Sequence, residues 1–173
     1  MKIVKVIAVV LAALVAAVLI GPAFIGQSFE VEKSIVVAAP ASKPYALLAE
    51  LRAWEDWNYW SNEDDTMTLE YAASTSGPGA SYTWAGKDGA GTTTIVSVDP
   101  DKSVGLELDF GDRGKGDVLF TLTEADGQTR VNWHFSGAAQ GYMGRWFNVM
   151  IGPMMQKPMT ESLAKIKELT EAA

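Results

Sequence analysis

From residue 67 to residue 137, apolar and polar residues alternate in six segments, MTLEYA, ASYTWAG, GTTTIVSV, SVGLELDF, GDVLFTLTEA and RVNWHFSG. Alternation with a period of two is typical of a β-strand that has one buried face. The separators GPG, KDGAG, DPDK, GDRGKG and ADGQ consist largely of residues that favour turns. Because strand follows strand with no helix between them, this region is predicted to form an antiparallel meander.

One face of the predicted sheet is strongly apolar. The residues that share this face within their own strands are Tyr82, Trp84, Val104, Leu106, Leu108, Phe110, Val118, Phe120, Leu122, Val131, Trp133 and Phe135. Their alternates, which include Glu107, Asp109 and His134, are predicted to face water. An earlier segment, FEVEKSIVV, also alternates and adds a seventh strand.

A sheet with one apolar face needs a layer that covers it. Directly after FEVEKSIVV, which is the first strand along the chain, a turn at residues 39–42 leads into a helix that is predicted to end near Arg52. A second short helix is predicted to hold Trp54, Trp57 and Trp60, because a spacing of three residues stays near one helical face for two turns.

The rest of the cover is predicted to come from the C-terminal region, which has helical spacing from about Tyr142 to the end of the chain. Pro153 and Pro158 lie inside this region. A proline removes one backbone hydrogen bond from a helix and tilts its axis, so we expect a kink or a break between two pieces.

The N-terminal region carries an apolar run from Val6 to Ile25 that contains no charge. About 20 helical residues span about 30 Å, the thickness of a hydrocarbon core. A cleavable signal peptide would have a shorter apolar region, and only Gly21-Pro22-Ala23 offers small residues at the cleavage positions. Residues 1–26 are therefore predicted to form a membrane anchor, with a signal peptide as the alternative, and residues 27–173 a folded domain.

The orientation of the anchor follows from Lys2 and Lys5, which precede the apolar run. Positive residues flanking a membrane helix favour the cytoplasmic side. We therefore expect a single-pass protein of the cell membrane with a cytoplasmic N-terminus and an extracytoplasmic (periplasmic) domain. If the anchor is cleaved, the same domain is an exported soluble protein.

Charge and composition exclude several functions. The chain carries a formal net charge of −7, and its first 29 residues hold only two charges, both lysines, so the rest is more acidic still. Such a surface repels phosphate backbones, which argues against a nucleic-acid partner. The sequence has one histidine, His134, and no cysteine, so it offers no zinc ligand set and no second histidine for a catalytic triad. It also contains no Gly-x-Ser-x-Gly motif, the elbow that carries the nucleophile of many hydrolases. No catalytic residue, metal ligand or cofactor is predicted.

An acidic loop at residues 62–65 follows the tryptophans. Its spacing does not match a calcium-binding EF-hand loop, which places ligands at alternate positions around a glycine. A solvated loop is the interpretation favoured by this spacing. It is also the candidate contact for a basic protein partner.

The segment VEKSIVVAAPASKPYALLAELRAWEDWNYW, with the order strand, helix pair, six-strand meander and terminal helix, resembles the START-like superfamily. This group is also called SRPBCC or the polyketide cyclase and lipid transport group. The resemblance covers Phe29 to Thr170 and is closest to bacterial members in which a hydrophobic anchor precedes the domain. It implies an α+β helix-grip fold, in which a curved antiparallel sheet of about seven strands wraps around a long C-terminal helix.

The resemblance also implies a cavity between sheet and helix, which in the superfamily takes sterols, lipids, aromatic polyketides or hormones. No single set of catalytic residues runs through the superfamily, so none is carried over. The candidate cavity residues are Trp57, Trp60, Tyr82, Trp84, Leu106, Leu108, Phe110, Phe120, Trp133, Phe135, Trp146, Phe147, Met150 and Met154. Ligand pockets use such bulky apolar walls, and methionines adapt to guests of different shape.

The same residue types at strand and helix spacing also build ordinary cores. Trp54 and Trp57 are predicted to close one end of the core, and Trp60 to lie at the mouth of a pocket. Our leading hypothesis is a membrane-tethered extracytoplasmic domain that binds a lipid or an aromatic metabolite. The alternatives are a protein-interaction or sensing module without a ligand, and a cyclase- or dehydratase-like enzyme, which requires an ionisable group buried in the cavity.

Overall fold

The computed structural model describes residues 2–87 and 89–172. The strands are β1 (Ser28–Val37), β2 (Thr68–Tyr71), β3 (Ser81–Gly86), β4 (Gly89–Asp99), β5 (Ser103–Asp109), β6 (Lys115–Ala125) and β7 (Gln128–Ala138). The helices are α1 (Lys2–Ile20), α2 (Ser42–Ala49), α3 (Trp54–Trp57), α4 (Tyr59–Glu63) and α5 (Gly141–Ala172). Three short 3-10 helices lie at Gly21–Phe24, Leu51–Ala53 and Gly111–Arg113.

The seven strands form one antiparallel sheet in the order β1-β7-β6-β5-β4-β3-β2. Strands β2 to β7 are neighbours in chain order, as expected of a meander, and β1 joins the sheet beside β7. With α5 across one face, this is the predicted α+β helix-grip architecture, and the fold prediction is confirmed. The apolar N-terminal helix precedes it.

The strand registers place the predicted apolar residues on one face, since directly paired residues of antiparallel strands share a side. One row of paired residues across the sheet contains Tyr82, Thr93, Leu108, Gly116, Gly137 and Phe29. The next row contains Ile95, Leu106, Val118, Phe135 and Val31. The prediction that Trp84, Leu108 and Trp133 share one side of the sheet is confirmed, and we call that side the inner face.

The three tryptophans do not share one helix, so this part of the helix prediction is wrong. Helix α3 ends at Trp57, and Asn58 adopts an extended conformation with φ −71° and ψ 126°. The side-chain oxygen of Asn58 accepts a hydrogen bond from the Trp60 backbone N–H at 3.1 Å and begins α4. Asparagine favours this capping position over a helix interior, and for that reason Trp60 lies on a separate helix.

Trp54 and Trp57 lie in the core, as predicted. Their ring centroids are 4.6 Å apart, and both rings meet Phe120 edge-on at 6.0 and 6.1 Å. Their indole N–H groups donate to the carbonyls of Leu48 and Leu47 at 3.1 and 3.2 Å. These bonds satisfy both buried donors and tie α3 to α2.

Helix α5 is continuous over 32 residues. Of the predicted kink or break at Pro153 and Pro158, the break is therefore wrong, although each proline costs about 3 kcal/mol in a helix interior. Packing offsets this cost. The buried residues of α5, on both sides of the prolines, are Ile151, Met155, Pro158, Met159, Ser162, Leu163, Ile166 and Thr170. The contacts of α5 with the sheet are mainly with β1 and less with β7.

Helix α1 stands apart from this core. None of its residues is buried, whereas the hydrophobic core is formed by residues between Val31 and Ile166. Within the described part of the chain, the Lys2–Phe24 helix is the one that is long and apolar enough to cross a membrane. The domain core is therefore complete without α1.

Candidate hydrophobic binding site

The structure divides the predicted site residues into three groups by depth. The buried group contains Trp57, Tyr82, Leu106, Phe120, Trp133 and Phe135. The half-buried group, which packs against the core, contains Trp60, Trp84, Leu108 and Phe110. The exposed group, all on α5, contains Trp146, Phe147, Met150 and Met154. Only the half-buried and exposed groups present surface that a ligand can contact without a rearrangement of the core.

The buried group forms the centre of the core. Trp57 is 1% exposed and Phe120 is fully buried. The Phe120 and Trp133 rings are 4.9 Å apart, and the Trp57 ring meets Trp133 edge-on at 6.2 Å. These side chains pack against one another, so in this conformation they support the binding surface from below.

The inner face of β3–β5 is covered unevenly: Tyr82, Ile95 and Leu106 are buried, and the face is less covered toward the end that holds Phe110. Trp84, Leu108 and Phe110 are half-buried there. The Trp84 and Phe110 rings are 5.8 Å apart. The Trp84 ring lies close over Gly91, where a Cβ atom would come within 2.6 Å of the indole. A residue without a side chain at 91 therefore lets this aromatic surface lie flat on the sheet.

The exposed side of the first half of α5 adjoins the same face. We call Tyr142, Met143, Trp146, Phe147, Val149, Met150 and Met154 the exposed helix face. Phe147 meets Phe29 of β1 edge-on at 6.1 Å, and Phe29 meets Phe135 of β7 at 5.2 Å. Two successive aromatic contacts thus connect α5 to the sheet.

Between Phe29 and Leu108, the row across the inner face contains Gly137 and Gly116. Glycine contributes no side chain to the floor, and here the rings of Phe29 and Phe135 lie over these two positions. The floor between α5 and Leu108 is accordingly low and aromatic. Such a floor suits a flat or flexible apolar molecule.

A surface cleft of about 490 Å³ is lined by residues of β1, β6 and β7 near this row. Its lining includes Phe29 and Gly137, but also Glu30, Lys115 and Asp117. These three charges do not suit an apolar ligand, since taking a charged group out of water is costly. We therefore place the candidate site on the inner face and not in this cleft.

The core beneath the site also contains a polar donor. The indole N–H of Trp133 is buried and, within the described residues, has no hydrogen-bond acceptor. A buried indole N–H usually has a partner. A ligand oxygen would reach this N–H only if the core side chains moved apart.

Sequence reasoning missed Lys33. The alternation in FEVEKSIVV predicts that Phe29, Val31, Ile35 and Val37 share one face of their strand, and Lys33 occupies the position between Val31 and Ile35 with the same parity. In the structure Lys33 is paired with Trp133 across the two strands. Its Nζ donates to Gln156 of α5, at 3.0 Å to Oε1 and 3.4 Å to the carbonyl. Strand parity alone was a sufficient signal for this placement.

The charged residues of the neighbouring strands face outward, as predicted. Lys115 Nζ lies 2.7 Å from Glu107 Oε1 and 3.3 Å from Asp109 Oδ2. His134 Nε2 lies 3.9 Å from Glu30 Oε2, and both side chains have access to solvent. Within the described residues, no group of three or more histidines, cysteines or acids is placed to hold a metal ion.

The acidic loop is not uniformly solvated. Asp64 is buried, and its Oδ1 accepts hydrogen bonds from the Thr66 hydroxyl at 2.6 Å and the Thr66 N–H at 3.0 Å. Its Oδ2 accepts from the Lys87 N–H at 2.9 Å. Asp64 thus fastens the loop to the β3–β4 hairpin, which leaves Glu63 and Asp65 as the exposed acids of the loop.

These hydrogen bonds, from the Thr66 hydroxyl first, lower the pKa of Asp64. A carboxyl whose pKa is lower in the folded state than in the unfolded state stabilises the fold above the unfolded value, about 3.9. This stabilisation is lost as the pH falls through the lowered folded value.

We expect Asp64→Asn to lower the urea midpoint of unfolding at pH 7, and the difference from wild type to shrink at pH 3. Asp65→Asn, at an exposed position, is the control. A difference that is the same at both pH values would contradict this role of Asp64.

Comparison with solved structures supports the fold. Norcoclaurine synthase from Thalictrum flavum matches with a TM-score of 0.65 at 13% identity, over 82% of this chain and 86% of that one. The protein Ms6760 from Mycobacterium smegmatis matches with a TM-score of 0.59 at 20% identity, over 84% and 92%. The di-domain ARO/CYC StfQ of the steffimycin biosynthetic pathway matches with a TM-score of 0.62 at 11% identity, over 84% of this chain and 51% of that one.

At these identities the three matches establish the fold alone. No curated protein matches the sequence. The family model described as polyketide cyclase / dehydrase and lipid transport matches residues 28–171, which is nearly the whole folded domain. The chain belongs to this polyketide cyclase / dehydrase and lipid transport family.

Proposed function

We propose that this protein is a membrane-tethered, extracytoplasmic domain that binds a hydrophobic small molecule, a lipid or an aromatic metabolite. The ligand lies on the less covered part of the inner face, between the sheet and the first half of α5. The observation that carries the proposal is the combination of half-buried Trp84, Leu108 and Phe110 with exposed Met150 and Met154. Large apolar side chains left partly exposed on a concave sheet favour an apolar partner.

The family supports this chemistry. Its description names polyketide cyclisation and lipid transport, and both activities concern largely apolar compounds. The energetics are also sufficient. A ligand that buries about 200 Å² of apolar surface gains about 5 kcal/mol from desolvation, at about 25 cal/mol per Å². Part of this gain is offset by the loss of ligand freedom, which leaves room for moderate affinity.

The tether gives the domain access to such molecules. Helix α1 is exposed throughout the structure and apolar after Lys5, and it has the length of a membrane span. With Lys2 and Lys5 on the cytoplasmic side, the domain lies outside the cytoplasm next to a bilayer, which concentrates hydrophobic compounds. A cleaved form would retain the site, because the core contains no residue of α1.

Mass spectrometry tests the proposal. The fragment 21–173, which keeps the whole core, is purified without detergent and extracted into organic solvent. We expect an apolar compound to co-purify with the wild-type fragment. Leu108→Gln places a polar group on the proposed floor and should lower the recovery at least about tenfold, a loss of about 1.4 kcal/mol.

Leu119→Gln is the matched control, since Leu119 is an exposed leucine on the outer face of the neighbouring strand β6. It should retain the compound. The proposal fails if no compound co-purifies with the wild-type fragment, or if the Leu108 and Leu119 variants retain it equally.

A further inference from the structure

The exposed helix face is a continuous apolar surface. Its residues are between 37% and 57% exposed. At 100° per residue they cover about 160° of the helix circumference. Ile151 and Met155, on the other side of the same helix, are buried. A soluble surface seldom carries so broad an apolar stripe without a partner.

The charge pattern of α5 changes sharply along its length. No charged residue occurs between Arg145 and Lys157. Beyond Lys157, the side of the helix that carries the exposed helix face holds the polar, exposed residues Thr160 and Glu161. Only the first half of α5 is therefore suited to an apolar environment.

The first half of α5 is fastened to the end of α1. The Tyr142 hydroxyl donates to the Leu19 carbonyl at 2.9 Å, and the Trp146 indole N–H donates to the Val18 carbonyl at 3.2 Å. The last carbonyls of a helix lack intrahelical donors, so both bonds satisfy groups that would otherwise be unpaired. Arg145 also donates to the Pro22 carbonyl at 3.2 Å, just beyond α1.

The length of α1 sets the depth of this contact. Its 19 residues span about 28 Å. A hydrocarbon core is about 30 Å thick, so with Lys2 at the inner boundary and the Lys5 side chain extended back toward the headgroups, α1 places Val18 and Leu19 near the outer boundary. Tyrosine and tryptophan are the residues enriched at this boundary. Tyr142 and Trp146 are thus held where their amphipathic rings are most stable.

We propose that the first half of α5 is an interfacial helix whose exposed face lies in the outer boundary of the bilayer that α1 spans. This inference rests on the membrane tether of the proposed function. Because the contact between Phe147 and Phe29 joins the exposed helix face to the inner face, the candidate site opens toward lipid. An apolar ligand then passes between bilayer and site without crossing water. The contact is uncharged, so phosphatidylcholine suffices as the lipid and anionic headgroups are not needed.

Spin labelling of the full chain in phosphatidylcholine vesicles tests the inference. The protein has no cysteine, so one introduced cysteine is a unique attachment site. A nitroxide at Met150→Cys should collide readily with dissolved oxygen, which concentrates in lipid, and poorly with a water-soluble nickel chelate. Thr160→Cys, on the same side of the same helix, is the matched control and should show the reverse preference. Val149→Cys, also on the exposed helix face, repeats the measurement if the Met150 variant does not fold.

Two outcomes would overturn the inference. The first is equal access of the nickel chelate to labels at 150 and 160, which places the exposed helix face in water. The second is shielding of the label at 150 from both reagents with spin–spin broadening, which shows that a second copy of the chain covers the face. A label in lipid combined with an empty ligand extract would leave this inference standing and refute the proposed ligand binding, so the two failures are distinguishable.

Discussion

Replacing Trp57 with alanine is expected to lower the free energy of unfolding by about 3–5 kcal/mol, the range for a large aromatic residue removed from a packed core. The Trp57 side chain is 1% exposed and touches the rings of Trp54, Phe120 and Trp133. Its loss also leaves the Leu47 carbonyl without the indole donor. Urea denaturation of the fragment 21–173, followed by circular dichroism, measures the change.

Trp60→Ala is the matched control for this prediction. Trp60 lies three residues further along the chain but is half-buried, and its backbone N–H, which the substitution preserves, makes the bond to Asn58. We expect a distinctly smaller loss of stability. Equal losses at the two positions would show that Trp57 is not the centre of the core.

Deletion of residues 2–20 is expected to move the protein from the membrane fraction to the soluble fraction. The remaining domain should keep its free energy of unfolding within about 1 kcal/mol, because the deletion removes no buried residue. An inserted apolar helix is held in the bilayer almost irreversibly, so the change in location should be nearly complete. Cell fractionation with an alkaline wash, together with urea denaturation of the deleted form, measures both effects.

The full-length protein is the control for the deletion, and its mature N-terminus decides between the two predictions for the apolar run. An anchored protein retains Lys2 and Lys5 and stays in the membrane after the alkaline wash. If cells that express the full-length sequence yield a soluble product whose N-terminus begins after Ala23, that product would contradict the anchor and identify residues 1–23 as a signal peptide.

The strands could be predicted because their signals are local. Alternation assigns each residue to a face, and turn residues mark where a strand ends, so the registers confirmed that Trp84, Leu108 and Trp133 share a side. The same alternation assigns Lys33 to the face of Val31 and Ile35. A search for apolar residues alone misses it, because such a search considers only the hydrophobic members of a face.

The helices were harder to predict because their limits depend on competing interactions. One hydrogen bond from the Trp60 N–H to the Asn58 side chain separates α3 from α4, although the tryptophan spacing predicts one helix. In α5 the opposite occurs. Tertiary packing of residues such as Met155 and Met159 keeps the helix continuous through two prolines that predict a kink or a break.

The depth of the candidate site residues could not be predicted from parity. Phe120 and Leu108 point to the same side of the sheet, yet Phe120 is fully buried and Leu108 is half-buried. The difference depends on where α3 and α5 cross the inner face, and no local pattern in the sequence encodes that crossing. The family resemblance implied a cavity but not which end of the sheet stays less covered.

Nuclear magnetic resonance of the tryptophan side chains tests the location of the ligand most directly. The chain has six tryptophans, each with one indole N–H that gives its own signal in the ¹⁵N-labelled fragment 21–173. The probes are 2-naphthol, as an aromatic compound, and decanol, as an aliphatic one. We predict a saturable shift of the Trp84 signal with little change at Trp54 and Trp57, whose indoles are bonded to backbone carbonyls in the core. Shifts confined to Trp54 and Trp57, or no shift at saturating probe, would contradict a binding site on the inner face.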